Sequence, residues 1–271
     1  MNVLVFSNTF SGGFNDEKNS GIEIIHHGVR TAQGGAIRLS NTPEQWDLVP
    51  KTVSRDVSLA DNSITVNMRY DDYDFDSRVV VTGKGDAVEI SVFLDKPVPD
   101  AIAGDAGFNL EFLPSQYWAK TYVMDGHIDR LPRIAASETV TRPNAEKPKQ
   151  FKGFKTYDDR GTDRFVDPLP LATGHNLVMA QDSPERMIKI HSDAELQLYD
   201  GRMIAQNGWF VLRSVLPADK TGKVLSWVVE PNGVDGWVRE PNIGFSQVGY
   251  KTGQPKEGVI ELDKHDKVHP K

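Results

Sequence analysis

The sequence predicts an all-β protein, built as a large antiparallel two-sheet sandwich. Three observations lead there. The dominant hydrophobic period is two. No stretch longer than about ten residues keeps a 3.6-residue period. At least ten strand-like segments fall within one chain of 271 residues, which suits two large packed sheets better than a small immunoglobulin-type unit.

The elements follow in chain order. Ile64, Val66, Met68 and Tyr70 alternate with Thr65, Asn67, Arg69 and Asp71. Val88, Ile90, Val92 and Leu94 alternate with Glu89, Ser91, Phe93 and Asp95. Between them Arg78 to Thr82 runs into Gly83-Lys84-Gly85-Asp86, where glycine supplies the positive φ of a tight hairpin. Phe108, Leu110 and Phe112 form the next apolar face. Met187 to His191, Glu195 to Tyr199, Trp209 to Leu216 and Lys223 to Glu230 are further strands, with Asp200-Gly201 and Asn207-Gly208 marking a loop. Gly12-Gly13 and Gly34-Gly35 read as turn glycines. Short helical turns are expected near Pro43 to Asp47 and Ser115 to Lys120. Asn144 to Pro170, rich in Lys, Asp, Pro and Gly, reads as a long insertion. Pro231 to Pro241 reads as the exit from a main domain spanning 1-240, followed by a separate segment, 241-271.

Composition narrows the function. Net charge is −7 and no basic run is present, which argues against a nucleic-acid partner, since phosphate binding needs clustered Lys and Arg. No apolar stretch approaches the roughly 18 residues that span a bilayer. Cysteine is absent, so disulfides and thiolate metal sites are excluded. Met1 is followed by Asn-Val-Leu-Val-Phe, which is no signal peptide. No cofactor motif is found.

Several residues are candidates for chemistry. Glu111 sits at a polar position of an apolar strand, followed by Tyr117 and Trp118; Asp125 and His127 come soon after. A strand carboxylate beside two aromatics can grip a sugar, and paired carboxylates on opposite sides of a glycosidic bond hydrolyse it. The competing reading leaves Glu111 facing solvent or paired with an Arg, and places Tyr117 and Trp118 over the sandwich edge. Trp46, Trp118 and Trp237 lie beside Pro or Gly and could offer flat apolar faces to a pyranose, whereas Trp209 and Trp227 belong to the core. Asp71, Asp72, Asp74 and Asp76 form an acidic cluster. Asp72, Asp74 and Asp76 are the alternative metal ligands, although the glycine and distal glutamate of an EF-hand loop are missing. His26-His27 is the only adjacent histidine pair, and neighbours on one strand point to opposite faces.

A resemblance joins these pieces. The stretches Glu23 to Ala32, Leu39 to Asp47 and Ala106 to Pro114 resemble the N-terminal region of Bacteroidetes-type family 9 glycoside hydrolases, which are endoglucanase-like. So do Asp200-Gly201-Arg202, Ala205 to Phe210 and Ser246 to Tyr250. The closing Gly244 to Tyr250 and Gly258 to Asp263 are similar to the first two strands of the immunoglobulin-like module preceding the catalytic barrel. The resemblance implies a supersandwich-like, non-catalytic accessory domain of a polysaccharide-degrading, cellulase-associated enzyme. It implies a polysaccharide or oligosaccharide partner, downstream immunoglobulin-like and catalytic modules in the same polypeptide, and a secreted, extracellular or periplasmic parent. Asp105-Ala106-Gly107-Phe108 departs from that family's catalytic Asp-Ala-Gly-Asp at the second aspartate, so no catalytic residue carries over. Two alternatives stand beside this reading: a hydrolase in its own right using Glu111 and Asp125, or a purely structural domain that stabilises a neighbouring barrel.

Overall fold

The structure, a computed structural model, describes residues 1–7, 9–11, 17–19, 21–43, 47–143, 155–157, 163–204, 207–263 and 265–266; of residues 9–11, 17–19, 141–143, 155–157 and 163–166 it describes the backbone alone. The chain divides into two compact units, Met1–Asn232 and Gly233–Lys271.

The first strands are β1 (Asn2–Val5), β2 (Thr9–Ser11), β3 (Glu17–Asn19), β4 (Ile22–His26) and β5 (Val29–Arg38). Next come β6 (Lys51–Ser58), β7 (Ser63–Tyr70), β8 (Phe75–Lys84), β9 (Ala87–Leu94) and β10 (Gly107–Phe112). After the single helical turn α1 (Pro114–Tyr117) follow β11 (Thr121–Met124), β12 (His127–Arg130), β13 (Thr139–Pro143), β14 (Lys155–Tyr157) and β15 (Asp163–Pro168). The first unit ends with β16 (Ala172–Met179), β17 (Ile188–Asp200), β18 (Phe210–Val215) and β19 (Gly222–Pro231). The second unit holds β20 (Asn242–Phe245) and β21 (Gly258–Glu261).

The protein is all-β, and its main body is one antiparallel sheet of 14 strands curled into a half-barrel. Hydrogen bonding runs continuously along β1-β4-β5-β10-β18-β17-β19-β9-β8-β7-β6, with β16, β11 and β12 branching from β17. The two layers expected from the sequence are joined through β17. Its first half, Ile188 to Ser192, pairs with β19, and its second half, Gln197 to Asp200, pairs with β18. β16 pairs with both halves across a register shift between Gly174 and Asn176. The segments Met187 to His191 and Glu195 to Tyr199, separate in the sequence reading, are thus one strand with a break in its middle. A strand that bends in this way turns the corner between two packed layers.

The layers meet in a single apolar core. Phe108 of β10 packs edge-to-face on Trp227 of β19, with ring centroids 4.9 Å apart. The Trp227 Nε1–H donates to Ser214 Oγ at 3.0 Å, so the indole is satisfied as well as buried. Tyr70 of β7 donates its hydroxyl to the Ile37 carbonyl of β5 at 3.1 Å. The two ends of the strand path also meet, because Arg55 Nε of β6 donates to the Val5 carbonyl of β1 at 2.7 Å. Phe108, Leu110 and Phe112 are fully buried on the inner face, as their alternation requires.

Part of the insertion expected between Asn144 and Pro170 is ordered: β13, β15 and β14 form a small antiparallel sheet. Its strands are too short for periodicity to reveal. Residues 144–154 and 158–162 of that insertion lie outside the described residues.

Among the described residues, β20 and β21 of the second unit pair only with each other. The register sets Ile243 opposite Ile260, and with Phe245 they leave one face of the ribbon apolar and exposed, Ile243 at 62%, Phe245 at 65% and Ile260 at 64%. A two-stranded ribbon is marginal in water without a layer to cover such a face.

Trp227→Ala removes the largest side chain in the contact between layers and leaves a cavity. It is expected to lower the unfolding free energy by about 3–5 kcal/mol, read from urea denaturation. Phe108→Leu, which keeps most of the volume, is expected to cost less than half as much.

Candidate functional site

The convex face of β5, β10 and β18 should be the solvated side of the sheet, yet every residue of β10 is buried. Gly107, Asn109 and Glu111 alternate with the core residues and therefore point outwards. Two glycines make this layer possible. A Cβ on Gly107 would stand 2.7 Å from the Arg213 guanidinium carbon, and one on Gly34 would stand 2.6 Å from Glu111 Oε2. Arg213 and Glu111 therefore lie flat on neighbouring backbone where any side chain would collide. Gly34 also adopts φ +66°, which favours glycine. It falls at a register shift in the β5–β10 ladder, between the pairs Asn109–Ala36 and Glu111–Gln33. Gly34-Gly35 is thus a bulge inside a strand and not the turn read from sequence.

Arg213 is 2% exposed. Its Nη1 donates to Ser40 O and to Asn109 Oδ1, both at 2.8 Å, and its Nη2 donates to Asp105 O. Asn109 Nδ2 donates in turn to Ser40 O at 3.0 Å and Asn41 O at 3.2 Å. The loop after β5 is therefore stapled to the sheet. Asn207 Nδ2 donates to Pro43 O at 2.7 Å, fastening the loop after β17 to the first loop. The buried Asp200 takes Arg202 in a two-pronged pair, Nε to Oδ1 and Nη2 to Oδ2, both 2.8 Å. Arg202 also covers the Phe210 ring at 4.5 Å and donates to Pro132 O at 2.6 Å. Buried charge is tolerated where each donor and acceptor is matched in this way.

Ser40, Asn41, Asp105, Asn109 and Arg213, distant in sequence, therefore converge on the convex face, with Asn207 joined to it through Pro43; Asp200, opposite Phe210 in register, points with Phe210 and Phe112 to the inner face. The sequence carried a signal for the convex layer that periodicity missed, namely glycines at strand positions facing long polar side chains on the adjacent strands. Phe108, the departure from the Asp-Ala-Gly-Asp pattern, is core, and Gly107 is explained by Arg213.

The remaining sequence candidates are placed as follows. Glu111 is 7% exposed and packed on Gly34. Tyr117 is fully buried and edge-to-face with Phe112 at 5.3 Å, so its ring has no face to offer a sugar. Trp118 is 48% exposed. Its turn is pinned on both sides, with Trp118 N–H donating to Pro114 O at 2.8 Å and Ala119 N–H donating to Leu131 O at 2.8 Å. Trp46 lies outside the described residues. Trp237 is half-buried within the second unit. Trp209 is half-buried and directly precedes β18.

Asp125 occupies an Asp-Gly turn between β11 and β12, with φ +46°. Its carboxylate accepts from His175 N–H at Oδ2 and from Asn176 N–H and Nδ2 at Oδ1, all at 2.9 Å. Those amides lie on β16 opposite Ser192 to Glu195, the extra residues of β17 at the register shift, and just past the end of the β11–β16 ladder. The Asn176 side chain, then the His175 amide, hold the Asp125 carboxyl below the usual range. Glu111 and Asp125 are not brought together. β10 and β16 are three strand spacings apart and the positions are offset by about four residues along the strands, a separation on the order of 20 Å along the sheet. Paired hydrolytic carboxylates stand about 5–9.5 Å apart.

The acidic cluster surrounds a cation of the chain itself. Arg69 reaches Asp71 at 3.1 Å, Asp76 at 2.7 Å, and Asp74; Lys51 adds a second contact to Asp71. Among the described residues no group of three or more His, Asp or Glu is arranged to hold a metal ion. The two adjacent histidines also differ from expectation. His27 sits past the end of β4 with φ +47°, and this turn folds its ring onto that of His26, with centroids 4.4 Å apart.

No protein-family model and no curated protein matches this chain.

Gly34→Ala is expected to destabilise the protein by about 2 kcal/mol or more, combining left-handed strain and collision with Glu111. Adding Glu111→Ala is expected to restore part of the loss, so a double-mutant cycle reads the coupling directly. For the acidic cluster, Arg69→Gln is expected to raise the pKa of Asp74 more than that of Asp71. Hydrogen bonding to Arg69 is the leading cause at Asp74, whereas Lys51 leads at Asp71 and remains. Both carboxyls are depressed in the fold, so they stabilise it above their unfolded pKa of 3.8, and this is lost as pH falls through the folded values. Carboxyl titration by NMR checks the ordering.

Proposed function

We propose that this chain is a non-catalytic accessory β domain of a polysaccharide-degrading glycoside hydrolase, with glycan-binding duty. The placement of its two candidate carboxylates carries this reading. Asp125 is committed to the amides of His175 and Asn176, Glu111 is packed against Gly34, and the sheet keeps them too far apart to flank one glycosidic bond. The order of motifs resembling family 9 enzymes adds support, since several of those stretches meet in the convex polar layer. That layer is a framework: it fixes the loop bearing Pro43 to the loop bearing Asn207.

Glycan binding is assigned to Trp118. A large aromatic face exposed on a turn pinned at both ends loses little conformational entropy on stacking against the C–H face of a sugar. Polymeric glycans lie outside cells, so the parent enzyme acts in the extracellular or periplasmic space. In the same reading the β20–β21 ribbon belongs to the immunoglobulin-like module, whose further strands would cover Ile243, Phe245 and Ile260.

Affinity electrophoresis with soluble β-glucan, xylan and mannan tests the assignment. Retention by at least one glycan is expected, weakened about tenfold, or 1.4 kcal/mol, in Trp118→Ala. Equal retention by folded Trp118→Ala would remove Trp118 from the site. Reducing-sugar release that Glu111→Gln abolishes would overturn the non-catalytic reading. Absence of all retention would leave a domain that stabilises its neighbour.

A further inference from the structure

Asn232, the last residue of the first unit, is held by three different hydrogen bonds. Its N–H donates to Met187 O at 2.9 Å. Its side-chain Nδ2 donates to Pro184 O at 2.9 Å. Its carbonyl accepts from His26 Nε2 at 2.7 Å. The first two partners belong to the loop between β16 and β17, and the third to the end of β4. We propose that this triple hydrogen bond is an acid-released clamp on the point where the chain leaves the first unit, with His26 as its proton sensor.

The geometry dictates the sign. A carbonyl partner requires the proton on Nε2, so Nδ1 of the neutral ring is a bare acceptor. His26 is 1% exposed, and Nδ1 has no hydrogen-bond partner among the described residues. Acid adds its proton at that buried atom, where no acceptor waits. The charged groups around it are unfavourable from each packed element. His27 stacks on the ring from the β4–β5 turn, Arg186 approaches from the β16–β17 loop, and the ammonium of Met1 approaches from the start of β1. On β4 itself, Glu23 is engaged by Arg30 at 2.9 Å. Glu185 enters through its carbonyl, which accepts from His27 Nδ1 at 2.8 Å.

Burial chiefly, against the opposing effect of the Asn232 hydrogen bond, lowers the His26 pKa from 6.5 to about 4. A group depressed in the closed state and ordinary in the open one favours opening as pH falls below 6.5. The effect grows until the closed-state value is reached, near pH 4. Between pH 7 and pH 5 the opening equilibrium rises by at most on the order of 20-fold. Release requires only that Asn232 and the β16–β17 loop separate enough to hydrate the imidazolium, so the core between the layers stays intact.

Hydrogen exchange on the full chain tests this, expressed as protection factors to remove the intrinsic pH dependence of exchange. The Asn232 amide is expected to lose roughly tenfold or more of its protection between pH 7 and pH 5, while amides of β10 keep theirs. His26→Gln retains a neutral donor for the Asn232 carbonyl and is expected to flatten that dependence. An Asn232 amide whose protection is independent of pH in the wild type overturns the clamp. So does equal pH dependence in folded His26→Gln. Should that variant fail to fold, imidazole titration of the wild type decides. His26 must titrate well below 6.5, in step with loss of Asn232 protection; titration of His26 near 6.5 with Asn232 still protected refutes the proposal.

Discussion

Strand β17 is 13 residues long, and its two halves belong to different layers. A flat sheet of 14 strands would leave one whole apolar face in water. Bending at β17 lets β18 and β10 on one side face β19 and β9 on the other, so each covers the apolar face of its opposite. The Phe108–Trp227 contact exists only because of that bend. So does the hydrogen bond between Tyr70 and Ile37, several strands away. The extra residues of β17, Ser192 to Glu195, face His175 of β16 at the bend, and Asp125 accepts from the amides of His175 and Asn176 beside them. A residue with the look of a catalytic acid is thereby explained as part of the corner.

The convex polar layer depends on the same construction. Once β5, β10 and β18 are held side by side, Gly34 and Gly107 open two depressions in an otherwise continuous surface. Glu111 and Arg213 fill them, and the backbone carbonyls of Ser40 and Asp105 then close over the Arg213 guanidinium. Such an arrangement is costly to build and gives little net stability compared with an apolar surface. What it supplies is definition: the two loops have one place to sit. Fixed loops on a rigid sheet are the arrangement expected of a surface that receives a ligand or a neighbouring domain.

Legibility varied by element for physical reasons. The hairpins from Ser63 to Leu94 were readable because their turns are local, their glycines sit at the turn, and one face alone is buried. β10 was readable on its inner face only. Its outer residues are polar, which suggests water, but they are covered by loops that come from elsewhere in the chain. The continuity of β17 was unreadable because Ser192 to Ala194 interrupts its apolar alternation, and such a break in sequence looks like a turn. Gly34-Gly35 resembled a turn for the same reason: positive φ serves both turns and bulges, and only the register of the neighbouring strand separates them. His26 and His27 stack because a two-residue turn overrides the strand rule that would part them.

By itself the sequence determined the fold class, most of the strands, and the absence of disulfides and of basic nucleic-acid-binding runs. These are consequences of local periodicity and composition, which a single chain states directly. Tertiary structure alone decided that the strands share one sheet, that Glu111 and Asp125 lie far apart, and that the aspartates near Arg69 gather round a guanidinium. It alone set Asn232 against His26. Each of these depends on which distant segments meet, and that is settled by the burial of one continuous apolar face and not by any residue's immediate neighbours.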